Sequence, residues 1–439
     1  MVLETRTSAP PVEPAGFVHG AAPFPRRLTC LELFAGPGGL ALGTHKAGFR
    51  HLALIEFEAT AARTLRANCA GPLEMDPLLV RHADARDVDY TPFAGVVDLL
   101  TAGPPCQPFS AGGHGRGTDD ARNMFPVLLD AVGTIRPRAV LIENVRGLTR
   151  EKFQDYFSYI QERLKFPLLR QHDGEDWVDH YRRLRVVSDT AFEDDEQYVV
   201  KAQIVDAANH GIPQHRHRVF IVAIRRDLGL EPLAVPVTHS RDALLRDQWV
   251  TAAYWTRHNI APPPVPEATP THGWRTSFFP LDDCEPWATV RDAIGTLPPP
   301  VNRGETELLA NHVQHPGARP YKGHTGSTLD APAKALKSGG HGTPGGENTL
   351  RMEDGTIRYL TVREAACLQT FPDTWAFSGA WGACIKQLGN AVPVELARLF
   401  ASAIHERLSA ATPAAVTGKG TSLFTAGQAD VAVSGVAGQ

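Results

Sequence analysis

The sequence predicts an α/β protein built on a parallel sheet, with a second, smaller, loop-rich domain. Three observations carry this. Short apolar runs at residues 28–33, 51–55, 96–100 and 139–142 read as buried strands, with helix-compatible stretches such as 60–68 and 125–135 between them. Each run ends in an unusual cluster: Phe34-Ala35-Gly36-Pro37-Gly38-Gly39, then Glu56, then Gly103-Pro104-Pro105-Cys106-Gln107, then Glu143-Asn144-Val145. Finally, composition changes between Asp227 and Leu350, which hold 16 of the 35 prolines and four of the seven tryptophans with little periodicity.

In order along the chain, residues 1–26 are Pro/Ala-rich, without a secretory signal, and read as flexible. Residues 27–226 form the expected sheet domain. Asp84 ends an expected third strand, and runs at 198–205 and 218–224, separated by Asn209-His210-Gly211-Ile212-Pro213, suit an antiparallel hairpin at one sheet edge. Residues 227–385 form the second domain, with 350–385 as a hinge that regains helical character from Arg358 to Phe371. Residues 386–408 return to the first domain through an amphipathic helix at 394–408, and 409–439 read as a disordered tail.

Composition sets limits on function. The 439 residues carry 44 Lys+Arg against 48 Asp+Glu, a net charge of −4, so any nucleic-acid surface must be local. No apolar stretch approaches the roughly 18 residues that span a bilayer. Six cysteines lack any C-x-x-C pair, which disfavours a zinc knuckle or a disulfide framework. No metal site is expected; His215 and His217 lack a ligand partner at suitable spacing.

The strand-end clusters carry the chemistry. Glycines at 36, 38 and 39 permit a tight turn and close backbone approach to a ligand, and Glu56, 20 residues after Gly36, stands where a carboxylate accepts ribose hydroxyls. Asp84 suits an adenine amino group. Pro104 and Pro105 hold Cys106 rigidly, and Glu143 ends a neighbouring strand, so a thiol and a carboxyl group suit nucleophilic attack on a polarised ring. In Gln214-His215-Arg216-His217-Arg218, strand alternation puts Gln214, Arg216 and Arg218 on one face and the histidines on the other. The segment 111–117 has the composition of a mobile lid.

From Leu28 to Leu408 these motifs, in this order, resemble the DNA (cytosine-5) methyltransferases. Segment 34–39 is similar to the family's cofactor motif, Gly103-Pro104-Pro105-Cys106-Gln107-Pro108-Phe109-Ser110 to its nucleophile motif, and Glu143-Asn144-Val145 to its acid motif. Gln214-x-Arg216-x-Arg218, Arg358-Tyr359-Leu360-Thr361-Val362-Arg363-Glu364 and Gln387-Leu388-Gly389-Asn390-Ala391-Val392-Pro393 follow in register. The resemblance implies a Rossmann-like S-adenosylmethionine-dependent domain with a smaller target-recognition domain. It implies cofactor contacts from Phe34, Ala35, Gly36, Pro37, Gly38, Gly39, Glu56, Phe57, Asp84, Ala85, Gly103, Pro105, Asn390 and Val392. Cys106 is then the nucleophile at carbon-6 of a flipped-out cytosine, Glu143 the acid and Arg218 the ligand of the carbonyl oxygen. Arg216 orients the loop and thiol, and Asp120 and Arg122 close the lid.

The implied partner is double-stranded DNA, touched by Arg241, Arg246, Arg257, Arg275, Lys322, Lys334, Lys337 and the glycine-rich 337–346. The implied enzyme is a monomeric, bacterial-type, cytoplasmic and nucleoid-associated protein beside a restriction or other defence system. A tRNA cytosine-5 methyltransferase and an inactive DNA-binding protein of the same fold are the alternatives. A nicotinamide oxidoreductase is disfavoured by the incomplete glycine fingerprint.

Overall fold

The computed structural model describes residues 26–105, 123–187, 190–232, 234–265, 283–319, 325–339 and 348–411. Cys106, the expected lid with Asp120 and Arg122, Arg275, Lys322, most of the 337–346 run, nearly all of the amino-terminal segment and nearly all of the tail lie outside these.

Seven strands form the main sheet in the order β3-β2-β1-β4-β5-β7-β6. β1 (Thr29–Leu33), β2 (Arg50–Glu56), β3 (Val80–His82), β4 (Leu99–Ala102) and β5 (Ala139–Val145) run parallel. β7 (His217–Arg225) pairs antiparallel with β5, and β6 (Tyr198–Asp206) closes that edge as a hairpin partner. The chain steps from β1 outward to β3, then crosses to β4 on the other side of β1. That switch point lies at the carboxyl ends of β1 and β4, where ligands of such sheets bind.

Two expectations shift. β4 begins three residues later than the apolar run because Asp98, at its foot, accepts from Thr29 N at 2.7 Å and pairs with Arg26 at 2.6 Å. β3 ends at His82, and Asp84 instead caps a short 3₁₀ turn by accepting from Arg86 N at 2.9 Å.

Period-2 alternation sends alternate side chains to opposite faces. Leu31 and Leu33 join one core with α3 (Phe125–Ile135) and α4 (Gln154–Lys165), which α5 (Trp177–Leu184) flanks. Cys30, Leu99 and Leu141 join the other with α1 (Gly39–Lys46) and the carboxyl-terminal α11 (Val394–Ala410), where Phe220 and Phe400 stack at 4.0 Å. A third core joins α2 (Ala59–Ala67) to the segment that brings the chain back.

Residues 227–350 contain regular elements that their weak periodicity did not announce. α6 (Arg241–Trp249) starts where Ser240 Oγ accepts from Ala243 N; α7 (Ala253–Arg257) follows; α8 (Val290–Ile294) starts at a capping box of Thr289 and Asp292. β8 (His239–Ser240) and β9 (Glu285–Pro286) form a two-residue ladder. These elements are too short for a period to show, so caps define them. The expected helical stretch 358–371 splits into β11 (Ile357–Tyr359), paired with β10 (Thr349–Arg351), and α9 (Val362–Leu368); α10 (Trp381–Asn390) then leads to α11. No helix among the described residues is long and apolar enough to cross a membrane.

Candidate active site

After β1 the backbone turns through three left-handed residues in five, Phe34 (φ 57°), Gly36 (56°) and Gly38 (100°). Phe34 carries the strain a side chain meets there, of about 1–3 kcal/mol. The turn is tied to β2: Ala35 N donates to Ile55 O at 3.1 Å and Gly36 N to Glu56 Oε2 at 2.7 Å. Glu56 Oε1 accepts from Glu58 N at 2.6 Å. Burial pushes the Glu56 carboxyl above its ordinary range, against the backbone N–H groups that pull it down. A Cβ on Gly39 would lie 2.1 Å from the Val392 carbonyl oxygen, so the returning segment closes directly over the turn. Ala35, Pro37 and Val392 are buried there, while Asn390 is exposed at the end of α10.

Phe57 stands beside this turn with 68% of its surface exposed. Asp84 is already engaged by Arg86, with contacts of 3.0 Å and 2.6 Å, and that guanidinium holds its carboxyl below the usual range. The Ala85 carbonyl accepts from Tyr90 OH at 2.7 Å.

Glu143, 7% exposed, sits at the carboxyl end of β5. Arg218, two residues into the antiparallel β7, places Nε 2.6 Å from Glu143 Oε1, an ion pair whose N–H is not aligned for a hydrogen bond. Asn144 Nδ2 donates to the Pro104 carbonyl at 3.1 Å and fixes the turn after β4. A Cβ on Gly103 would lie 3.8 Å from Glu143 Oε2 and 4.0 Å from Phe34 O. The tips of β1, β4 and β5 therefore converge, and Cys106 follows Pro105 in sequence at this point.

The alternation expected for Gln214 to Arg218 is present. His215 and His217 both face Asp206, at 2.8 and 3.7 Å, whereas Gln214 and Arg216 are fully buried. The targets on the buried face differ: Arg218 meets Glu143, but Arg216 donates to the carbonyls of Leu336 (3.2 Å), Gly389 and Ala391 (both 2.8 Å). It precedes β7 and lies under the crossing of three segments. The thiol and loop it was expected to orient fall outside the described residues.

Sequence reasoning gave no role to Asn144, to Gln369, which donates to Leu388 O and Ala391 O, or to Trp375, buried against Gly38. It also missed Glu32, buried between Leu31 and Leu33 with burial pushing its carboxyl up to about 8. An acid inside an apolar strand was a readable signal for Glu32 alone.

A family model described as C-5 cytosine-specific DNA methylase matches residues 28–166 and 178–406. Type II methyltransferase M.PspPI of Psychrobacter sp. (strain TA137) is 30% identical over 389 residues, covering 88% of this chain and 81% of its own. Type II methyltransferase M.Eco47II of Escherichia coli is 32% identical over 375 residues, covering 84% and 76%. Among solved structures, the S. pombe Dnmt2 methyltransferase is similar at TM-score 0.51 and 18% identity, covering 87% of this chain and 99% of its own. Entamoeba histolytica methyltransferase EhMeth is similar at 0.52 and 12%, with the same coverage. At these identities the two structures speak for the fold.

Proposed function

Since the chain belongs to the C-5 cytosine-specific DNA methylase family and is a DNA (cytosine-5-)-methyltransferase, we propose that its converging strand tips form one pocket for S-adenosylmethionine and an extruded cytosine. The convergence of the strand tips, where a Cβ built on Gly103 would lie within 4.0 Å of both Glu143 Oε2 and Phe34 O, carries this reading.

The residues fit the cofactor. Glu56 offers a buried carboxylate oriented by two backbone N–H groups, Phe57 an exposed ring for stacking, and Gly36 open space where a side chain would stand. Ala35, Pro37, Gly38, Gly39, Ala85, Gly103, Pro105, Asn390 and Val392 line the remaining contacts, and Asp84 must exchange part of its Arg86 pairing to take the adenine edge. When bound, the cofactor supplies an electrophilic sulfonium methyl group.

The protein must make carbon-5 of cytosine nucleophilic. Cys106, as thiolate, bonds to carbon-6 and pushes the ring electrons toward carbon-5. Glu143 hydrogen-bonds ring nitrogen-3 and the exocyclic amine, and Arg218 the carbonyl oxygen, so charge gathering on the ring meets fixed partners. Once carbon-5 is methylated its proton leaves, the carbon–sulfur bond breaks with its electrons returning to Cys106, and aromaticity is restored. The ring edge is closed within a duplex, so the base is flipped out. We further propose that the enzyme works as a monomer, nucleoid-associated in the cytoplasm, beside a restriction or other defence partner.

A duplex carrying 5-fluorocytosine tests this: with S-adenosylmethionine present it should form a denaturation-resistant adduct with the unaltered chain and none with Cys106→Ser. An adduct with the variant sinks the assignment. Bisulfite sequencing of DNA and tRNA from a methylation-free host expressing the protein separates the two substrates; marks confined to tRNA would overturn the DNA reading.

A further inference from the structure

We infer that Arg216 is a positioning residue that locks the cofactor-side segment 389–392 to the recognition-side segment 336–339, so that duplex and cofactor each tighten the other's binding. This rests on the cofactor reading above and adds a coupling to it.

The geometry is a polar knot among four stretches distant in sequence. Arg216 is fully buried, and its fork donates on one side to Leu336 O and on the other to Gly389 O and Ala391 O. Gln214 Oε1 accepts from Leu336 N at 3.0 Å while its Nε2 donates to Leu368 O at 3.2 Å. Gln369 Nε2 adds Leu388 O at 2.5 Å and Ala391 O at 3.2 Å. Asn348 clamps Lys337 through both backbone groups, at 3.0 and 2.9 Å.

The two segments also touch directly. A Cβ on Gly389 would lie 2.2 Å from Ser338 N and 2.4 Å from Lys337 C, so the two backbones pack against each other with no room for a side chain. From Ala391 the chain passes to Val392, whose carbonyl rests on Gly39 of the glycine turn. Lys337 and Ser338 open the glycine-rich run expected to meet DNA backbone. One guanidinium therefore sits between the start of the run expected to meet DNA and the segment that closes over the glycine turn. Its planar set of N–H donors serves three carbonyls at once, which a lysine ammonium on a flexible stem does not reproduce.

Such coupling is reciprocal and readable as a ratio. Calorimetry measures S-adenosylhomocysteine affinity of the full chain with and without sheared, unmethylated genomic DNA. The unaltered chain should bind it at least about fivefold tighter with DNA. In Arg216→Lys that ratio should fall to within about twofold of one, and Gly389→Ala, which keeps the guanidinium but displaces residues 337–338, should lower it as well. A purely structural Arg216 would lower the melting temperature and leave the ratio intact; that result overturns the proposal, as does a ratio of one in the unaltered chain. If Arg216→Lys fails to fold, Gly389→Ala decides alone, an unchanged ratio counting against. No binding by the unaltered chain sinks the cofactor reading together with this one.

Discussion

At the carboxyl ends of β1, β2, β4 and β5 the side chains that matter are held by nearby backbone: Glu56 by the N–H groups of Gly36 and Glu58, Asn144 by the Pro104 carbonyl. In residues 227–350 side chains instead hold one another and distant backbone. Asp330 accepts from Tyr254 OH at 2.8 Å and Arg291 Nε at 2.6 Å, Gln248 donates to Asp330 O at 2.7 Å, and His312 joins Thr361 to the Pro298 carbonyl. A ladder fixes its strands whatever the side chains are, so its tips can be specialised for chemistry. A region built from individual polar contacts can be rebuilt contact by contact, which suits the target-recognition role that the family resemblance implies for it.

If that contrast is right, changes at the tips should alter chemistry and spare stability. Glu143→Gln should lower turnover by about 10²- to 10⁴-fold, the range of a lost acid–base group, with an unchanged melting temperature. A stability loss of the same variant, seen by calorimetry, would show that the tip also holds the fold. Glu56→Ala should raise the S-adenosylmethionine concentration for half-maximal rate by about 10- to 100-fold, as loss of charge-assisted hydrogen bonds implies, with turnover little changed. A change confined to turnover would break the assignment.

Asp330→Ala should act in the opposite sense. It takes a charged partner from the Tyr254 hydroxyl and the Arg291 guanidinium, which keep Thr289 and Glu353, and should cost about 2–3 kcal/mol in urea unfolding, while S-adenosylhomocysteine binding without DNA stays the same. An equal loss of cofactor affinity would mean the two regions are one unit. Glu32→Gln sharpens the comparison from beneath the turn, through a change in pH dependence. Burial holds Glu32 at about 8 against an ordinary 4.5, so the folded chain keeps a proton that the unfolded chain releases. The part of stability linked to Glu32 is therefore full below about pH 4.5 and declines as pH rises toward 8. The glutamine variant should match the original at low pH and melt higher at pH 8. Parallel melting curves against pH would refute this.

Much of the sheet was readable in the sequence because its strands are buried apolar runs and their ends are marked by Gly, Pro and acids. The helix Phe125–Ile135 falls where its apolar spacing put it. The helices between Arg241 and Ile294 did not show, since a stretch of five to nine residues is set by caps such as Ser240 and Thr289 more than by periodicity. For Arg218 the face followed from the strand alternation, whereas its pairing with Glu143 came only with the structure. Arg216 obeyed the same alternation, yet its partners lie 120 to 175 residues away.

What the chain determines locally is therefore its strands, its turn residues and which face each side chain takes, because φ/ψ preference and period-2 geometry act over a few residues. Which carbonyls a buried guanidinium meets, and that Val392 closes over Gly39, depend on how segments far apart in sequence pack. No short-range rule carries that information, since such contacts exist only once the whole chain has closed around them.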